Sequence, residues 1–366
     1  MIDRRHMMLG TGAALMTTRV LPALASPADD FASRLAAAEK SGAVSGLDAV
    51  LVAKGGTTLF EHYGKGPAED ISRNIFENNV VTFAPEVLHD LRSVSKSVVG
   101  LVYGIALAEG KVPPPEAKLY DQFPEYADLA RQPGRDKLTI GHVLSMTLGL
   151  EWDELTVPYG DDPRNSEIAM EMAPDRFRYI LGLPIVGEPG TKWTYCGAAT
   201  AILGRLISKG TGEKLPAYAR RVLFDPMGFG PSEWAISRDG EPRAASGLRL
   251  LPRDLLKVGQ LALTGGVWQG KQIVPADWVK RVTTPTVTIG GPRSYGYQWY
   301  IIDDTANGRR QHWFGGIGWG GQKLYVFPES GIVVAMLCGN YRKPVAEQNR
   351  VNIAVLTEVI APSLAP

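Results

Sequence analysis

Ser93 and Lys96 form an S-x-x-K pair at the start of an apolar run, and this pair combines a nucleophile with a base. Residues three apart are neighbours on one face of a helix, so a helix here would bring the hydroxyl and the amine together. A serine hydroxyl becomes an effective nucleophile when a base within about 2.6–3.2 Å takes its proton. A lysine acts as that base when burial or a nearby cation lowers its pKa. The alternative interpretation is a plain helix start with Ser93 as its cap.

Two later segments carry residues that could assist this chemistry. Tyr195 lies in a W-T-Y-C-G loop before an apolar helical pattern. A tyrosine there acts as a general acid or base if a nearby cation favours its phenolate. Trp319 lies in the stretch G-I-G-W-G-G-Q beside a predicted strand, where glycines let a substrate approach N–H groups that bind an oxyanion. Each segment also has a structural interpretation, as a core tyrosine and as a tight hairpin turn.

Taken in order, the three segments resemble the S-x-x-K, Y-x-N and K-T-G motifs of the serine β-lactamase/penicillin-binding-protein superfamily. The chain is most similar to its class C-like branch, with the family VIII carboxylesterases and 6-aminohexanoate-dimer hydrolases, over about residues 47–340. The resemblance implies that Ser93 is the acylated nucleophile, that Lys96 activates it and that Tyr195 carries the proton to or from the leaving group. It also implies that the backbone N–H groups of Ser93 and Gln322 bind the oxyanion.

Two departures from the family pattern bear on the substrate. Gly197 replaces the asparagine of Y-x-N and Trp319 replaces the lysine of K-T-G, so an amide and a cation are both missing. Both changes weaken recognition of the carboxylate of a β-lactam or a D-Ala-D-Ala peptide, whereas an indole wall suits an ester or a neutral amide. The residues expected to bind substrate are Trp319, Gly320, Gly321, Gly197 and Tyr159. Three arginines could restore a carboxylate site, namely Arg243, Arg249 and Arg293.

The composition is that of an ordinary globular protein. The 366 residues are 45% apolar and 21% charged, which allows a large core, expected in two lobes. The formal net charge of +1 gives no electrostatic reason to expect nucleic acid or an anionic membrane as a partner. The histidines lack metal-ligand spacing, and Cys196 and Cys338 are too few for a disulfide framework. We therefore expect no metal and no cofactor, and a small-molecule ester or amide as the partner.

Residues 1–25 resemble an export signal of the twin-arginine type. Arg4 and Arg5 precede an apolar, small-residue stretch, and an A-x-A cleavage site ends at Ala25. The apolar run is too short to span a bilayer, and Arg19 interrupts it. We therefore expect cleavage of the signal, a periplasmic or secreted mature protein, and no stable membrane insertion.

Strand patterns near both ends and helical patterns between them predict an α+β fold. One β-lactamase/DD-peptidase-like domain over 26–366 would combine an antiparallel sheet, flanked by helices, with an inserted and mainly helical lobe. The sheet lobe would take about 26–92 and 285–366, and the helical lobe about 93–284. The stretch 64–85 is predicted as an irregular connection, and the active site is expected at the junction of the lobes.

The function predicted from these observations is an exported serine hydrolase that cleaves a small ester or amide through an acyl-enzyme on Ser93. One alternative is a β-lactamase or a D-Ala-D-Ala carboxypeptidase. The other is a penicillin-binding-like sensor without catalysis. The complete set of Ser93, Lys96 and Tyr195 argues against the sensor, because a chain that had lost turnover need not keep all three.

Overall fold

The computed structural model describes residues 27–70, 75–160, 162–306 and 309–364. The predicted export signal over residues 1–25 lies outside this part of the chain, so it stays a prediction. Among the described residues, no helix has both the length and the apolar character needed to cross a bilayer.

A large antiparallel sheet forms the frame of the described part of the molecule. Its eight strands run in the order β10-β11-β12-β13-β14-β15-β1-β2, so the first strands of the chain pair with the last. The strands of all the sheets in the described residues, the large one and the small ones, are β1 (Leu47–Lys54), β2 (Thr57–Tyr63), β3 (Lys65–Asp70), β4 (Ile75–Thr82), β5 (His89–Asp90), β6 (Glu233–Trp234), β7 (Leu248–Leu250), β8 (Val267–Trp268), β9 (Lys271–Gln272), β10 (Val287–Gly290), β11 (Arg293–Tyr295), β12 (Tyr300–Ala306), β13 (Arg309–Gly318), β14 (Gln322–Phe327) and β15 (Ile332–Cys338).

Most of the helices lie between β5 and β10 in the sequence, where they form the mainly helical part of the molecule. The α-helices of the described residues are α1 (Pro27–Ser41), α2 (Ser95–Ala108), α3 (Ala127–Ala130), α4 (Ile140–Ser145), α5 (Ser166–Met172), α6 (Arg176–Gly182), α7 (Gly197–Thr211), α8 (Leu215–Ala219), α9 (Pro252–Leu263), α10 (Ala276–Val282), α11 (Val345–Ala354) and α12 (Ala361–Ser363). This arrangement confirms the predicted α+β fold, while the predicted lobe boundaries stay predictions.

The sheet separates two apolar clusters because alternate residues of a strand point to opposite faces. In β1, Val50 and Val52 pack in a cluster with Phe31 of α1 and Val355 beyond α11. Leu51 belongs to the larger cluster on the other face, which includes α2, α7 and α9. Helices thus cover both faces, which explains why β1 is an almost continuous apolar run rather than an alternating one.

The prediction for the stretch 64–85 was wrong, because this stretch contains the hairpin of β3 and β4 rather than an irregular connection. Residues 295–302 are divided between β11 and β12, because Gln298 adopts a φ of +67° between the two strands. The buried Gln298 side chain donates to Leu144 O and accepts from Thr200 Oγ1, which fixes the break against the helical part.

Candidate active site

Ser93 lies in a short 3-10 turn, Arg92–Val94, that leads directly into α2. The neighbouring serines are engaged in structural contacts. Ser95 Oγ donates to Arg92 O at 2.5 Å, and Ser97 Oγ donates to Gln298 O at 3.0 Å. Ser93 is half-buried and lines a cavity, so it is the serine of this turn that a substrate can reach.

Lys96 lies one helical turn after Ser93, and its Nζ is 3.1 Å from Ser93 Oγ. The same nitrogen donates a hydrogen bond to Ala245 O at 3.0 Å, and the Lys96 side chain is only 2% exposed. This geometry places the hydroxyl proton within reach of a basic nitrogen, as nucleophilic catalysis requires. The sequence predicted that Ser93 and Lys96 lie close together on one helix face, and the observed contact agrees with this prediction.

Tyr195 completes the cluster from the loop before α7. Its ring centroid is 4.8 Å from Lys96 Nζ. Burial, and after it the negative charge of Glu154, raises the pKa of the Tyr195 hydroxyl well above its usual value. A hydrogen bond with Ser93 and the charge of Arg92 oppose this shift. A protonated phenol beside the nucleophile is suited to protonate a leaving group.

Ser93 and Tyr195 border a cavity of about 560 Å³. Among the residues that the structure describes, those that line the cavity are Ser93, Glu154, Leu155, Thr156, Val157, Pro158, Tyr159, Trp193, Tyr195, Ile289, Arg293, Tyr300, Ile317, Gly318, Trp319, Lys323, Val345, Gln348 and Asn349. The structure thus brings the predicted site residues Tyr159 and Trp319 to the same cavity as Ser93. Five other predicted site residues, Lys96, Gly197, Gly320, Gly321 and Gln322, are absent from this wall.

The three absent residues that follow Trp319 shape the turn between β13 and β14. Gly320 and Gly321 have φ values of +86° and +101°, a region that favours glycine. A Cβ at Gly320 would lie 2.4 Å from the Tyr341 ring, so a side chain does not fit there. Gln322 is fully buried, and its side-chain amide donates to Cys338 O at 2.6 Å. These contacts account for the glycines and for the glutamine as structural residues of the hairpin.

The strand β13 was not predicted as a strand, although its end lies beside the nucleophile. A Cβ at Gly316 would meet Val94 Cγ1 at 2.9 Å, and a Cβ at Gly318 would meet Leu91 O at 2.6 Å. The glycines therefore let the strand pass close to the 3-10 turn. Because Gly318 and Trp319 line the cavity and Gln322 does not, the backbone of this strand end is better placed than that of Gln322 to bind an oxyanion.

Glu154 is a site residue that the sequence analysis missed. It is 1% exposed, and its Oε2 accepts from the Gly197 N–H at 2.6 Å and from Trp152 Nε1 at 2.7 Å. Its Oε1 accepts from the Tyr159 hydroxyl at 3.0 Å. Burial, followed by the charge of Glu167, raises the pKa of the Glu154 carboxyl to about 7.

Lys323 is a second residue that the sequence analysis missed. It lines the cavity, is 6% exposed, and hydrogen-bonds to the neutral amide of Asn349 at 3.3 Å. Burial lowers the pKa of its ammonium to about 8. Of the three arginines named as possible carboxylate partners, Arg293 lines this cavity, while Arg243 lines a smaller neighbouring one. Arg249 instead binds Glu233 and Asp90.

The remaining cysteine and histidine candidates have structural surroundings. Cys196 and Cys338 are both free and buried. His142 Nδ1 accepts from the Thr139 N–H in the capping box of α4, as expected for a structural histidine. Among the described residues there is no group of three or more histidine, cysteine or acidic side chains that could hold a metal ion.

The chain is similar to known proteins over most of its length. The sequence profile of the family described as Beta-lactamase matches residues 31–357. The 6-aminohexanoate-dimer hydrolase of Paenarthrobacter ureafaciens is 27% identical over 328 residues, which cover 84% of this chain and 76% of that protein.

Two solved structures share the architecture. A family VIII carboxylesterase is 17% identical with a TM-score of 0.66, and the similarity covers 91% of this chain and 97% of that one. EstCE1, described as a hydrolase with promiscuous acyltransferase activity, is 19% identical with a TM-score of 0.65, covering 88% of this chain and 98% of that one. These similarities establish a common fold.

Proposed function

The chain belongs to the β-lactamase family and is a hydrolase of that family, and from this premise we propose that it cleaves a small ester or amide through an acyl-enzyme on Ser93. The observation that carries the proposal is the 3.1 Å contact between Ser93 Oγ and Lys96 Nζ on the wall of the cavity. The name of the 27% identical relative, 6-aminohexanoate-dimer hydrolase, makes the 6-aminohexanoate dimer a suitable first amide to test.

In the proposed acylation, Ser93 Oγ attacks the substrate carbonyl carbon, and its proton passes to the neutral amine of Lys96. The carbonyl π electrons move to oxygen, and backbone N–H groups near the strand end at Gly318 stabilise the oxyanion. When the oxyanion collapses, the bond to the alcohol or amine breaks and the leaving group takes a proton from Tyr195. Water then attacks the Ser93 ester, and the same proton transfers run in reverse.

The cavity wall supports a small substrate with an apolar portion. Trp319 and Tyr159 present aromatic surface, and the exposed side chains of Leu155 and Val345 lie at the same cavity. Burying apolar substrate surface against such a wall contributes roughly 25 cal/mol per Å². Short-chain acyl groups would therefore gain affinity without any charged partner.

A fluorophosphonate probe tests the proposal directly, because it reacts with an activated serine and stays attached. Intact-mass spectrometry and peptide mapping should find one adduct, on Ser93, and Ser93→Ala should remove it. An adduct on Ser95 or Ser97, or no adduct at all in a protein that turns over esters, would contradict the proposal.

A second candidate function is β-lactam hydrolysis, and Lys323 is the observation that favours it. A buried ammonium with an amide as its hydrogen-bond partner could bind the carboxylate of a β-lactam, in place of the cation missing at Trp319. Comparing kcat/KM for nitrocefin and for p-nitrophenyl butyrate on one preparation separates the two functions. A value for nitrocefin equal to or above that for the ester would favour the β-lactamase.

We further propose that the protein is exported, with residues 1–25 as a cleaved twin-arginine signal. The support is the sequence pattern alone, with its paired arginines and A-x-A site.

A further inference from the structure

The first residue of α7 has no side chain, and a carboxylate from another segment fills the space beside it. A Cβ at Gly197 would lie 3.1 Å from Glu154 Oε2 and 3.5 Å from the Glu167 carboxyl group. The Gly197 N–H instead donates to Glu154 Oε2 at 2.6 Å. A side chain at position 197 would therefore compete with the carboxylate of Glu154 for the same space, and one of the two would have to shift.

Glu154 connects three parts of the site. Gly197 begins α7, two residues after Tyr195, and Tyr159 stands on the cavity wall, while the Trp152 indole anchors the carboxylate from behind. All three groups donate to one carboxyl group that is shielded from water, where hydrogen bonds to a charged acceptor are worth most. Moving Glu154 would therefore loosen both the start of α7 and the wall.

The charge of Glu154 also acts on the proton-transfer residues. Titratable groups from several elements face it, namely Lys96 on α2, Glu167 on α5, Tyr195 before α7, Tyr295 on β11, Tyr300 on β12 and Tyr159 on its own loop. The charge of Arg92 in the 3-10 turn opposes the rise in the pKa of Tyr195. The Glu154 charge also contributes to the raised pKa of the buried Cys196 thiol. A negative charge near Tyr195 favours the protonated form of its phenol.

We propose that Glu154 is a positioning residue that takes the place of the missing side chain at position 197. Its three hydrogen bonds fix Tyr159 and the start of α7, two residues after Tyr195, and its charge favours the protonated phenol of Tyr195. The inference rests on the proposed function, because it assigns a role within the same acylation.

The first experiment measures the pH profile of kcat/KM for p-nitrophenyl butyrate in Glu154→Gln. The neutral amide keeps the volume and one acceptor but removes the charge. The limb near pH 7, which follows the Glu154 carboxyl itself, should then disappear. The falling limb, which follows Tyr195, should move to lower pH, because the charge that raises the pKa of the Tyr195 hydroxyl is gone. The value of kcat should fall about tenfold, because the glutamine cannot keep all three hydrogen bonds as acceptor.

Glu109→Gln is the matched control, because Glu109 also accepts from a tyrosine hydroxyl, that of Tyr218 at 2.9 Å, but stands outside the cavity wall. Its pH limbs should stay in place. A Glu154→Gln profile that is only scaled down, with both limbs unmoved, would overturn the electrostatic part of the proposal. An unchanged kcat would overturn the positioning part.

The second experiment tests the competition for space between positions 154 and 197 with a double-mutant cycle. Gly197→Asn alone should lower both the melting temperature and kcat, because its side chain meets Glu154 Oε2. Combined with Glu154→Ala, which vacates the space, Gly197→Asn should regain at least tenfold in kcat over the less active single variant. Additive losses in the cycle would refute the competition.

The failure of this inference is distinguishable from that of the proposed function. Absence of a fluorophosphonate adduct on Ser93 in the unmodified chain would refute the proposed function. A normal adduct, together with pH limbs that ignore Glu154→Gln and additive losses in the cycle, would refute only the role of Glu154.

Discussion

The Tyr159 ring and the Trp319 indole meet in a T-shaped contact, with ring centroids 5.2 Å apart. Both side chains line the Ser93 cavity and also a neighbouring cavity of about 190 Å³. The pair therefore stands between the two spaces. Trp319 is held in place by a hydrogen bond from its Nε1 to Tyr341 O at 2.8 Å.

Trp319→Ala should merge the two spaces and remove apolar wall from the substrate cavity. We expect KM for p-nitrophenyl butyrate to rise about tenfold with a smaller change in kcat, because the lost contact is a binding contact. Steady-state kinetics with a C2 to C8 ester series measure this. Trp268→Ala serves as control and should leave KM unchanged, because Trp268 lies in β8 and is not part of the cavity wall. An equal loss in kcat would indicate that Trp319 acts on the chemical step instead.

Ser93→Ala should abolish turnover of every ester and amide and leave the melting temperature within a few degrees. The hydroxyl is half-buried and its loss creates no sizeable cavity. Ser97→Ala is the matched control, since it removes a buried hydroxyl bonded to Gln298 O. It should lower stability by about 1 kcal/mol and keep most activity. Residual turnover above background in Ser93→Ala would require another nucleophile.

Lys96 and Tyr195 should behave as one proton-transfer unit, because Lys96 Nζ lies 4.8 Å from the centroid of the Tyr195 ring, beside Ser93. We expect Lys96→Ala and Tyr195→Phe each to cost about 10²–10⁴-fold in kcat/KM, and the double variant to cost little more than the worse single one. Single-turnover kinetics on all three variants provide the measurement. Losses that multiply in the double variant would show that the residues act independently.

Lys323 should favour substrates with a carboxylate as long as it is protonated. With a pKa near 8, its charge is present at pH 7 and is lost as pH rises through about 8. The kcat/KM ratio of p-nitrophenyl hydrogen glutarate to p-nitrophenyl butyrate should therefore fall across that range. Lys323→Met should lower the ratio at pH 7 by roughly 10–150-fold, the value of one charge-assisted hydrogen bond.

The control for this measurement is Lys257→Met, because Lys257 forms its salt bridge with Asp254 away from the cavity wall. Its ratio should match that of the unmodified chain at every pH. A ratio insensitive to Lys323→Met would show that the carboxylate does not approach this ammonium. The neutral ester acts as an internal standard, since its rate reports general damage to the site.

Export can be tested on the precursor itself. Replacing Arg4 and Arg5 by lysine should leave uncleaved protein in the cytoplasm, if the paired arginines direct transport. Fractionation followed by N-terminal sequencing measures both location and cleavage. Mature protein that begins at Met1 would contradict the proposed cleavage.

Local spacing was enough to predict the contact of Ser93 with Lys96, because one helical turn fixes it. The central strand β1 can also be predicted from local sequence, because a strand buried on both faces is a continuous apolar run. The end of β13 was missed because its glycines, which allow the close approach to Val94, also resemble a turn. The function of such a glycine depends on what lies opposite, and that is a tertiary property.

Glu154 and Lys323 were missed for a related reason. The carboxylate of Glu154 meets Gly197 across a long stretch of chain, and nothing in the local sequence marks it as buried. Lys323 stands in an apolar strand, where a lysine is uncommon, and this is the one signal that could have drawn attention to it. Charged residues in buried strands merit inspection as site candidates.

The pairing of β1 with β15 has a consequence for the order in which the protein is assembled. Leu51 lies opposite Ala335, although almost the whole chain separates them, so the middle of the sheet closes only after the last strand has been synthesised. Closing so long a loop is entropically costly and makes folding slow. A chain truncated before Ile332 would expose β1 as an unpaired apolar edge, which is a template for aggregation. Premature termination near the C-terminus should therefore yield insoluble protein rather than a weakened enzyme.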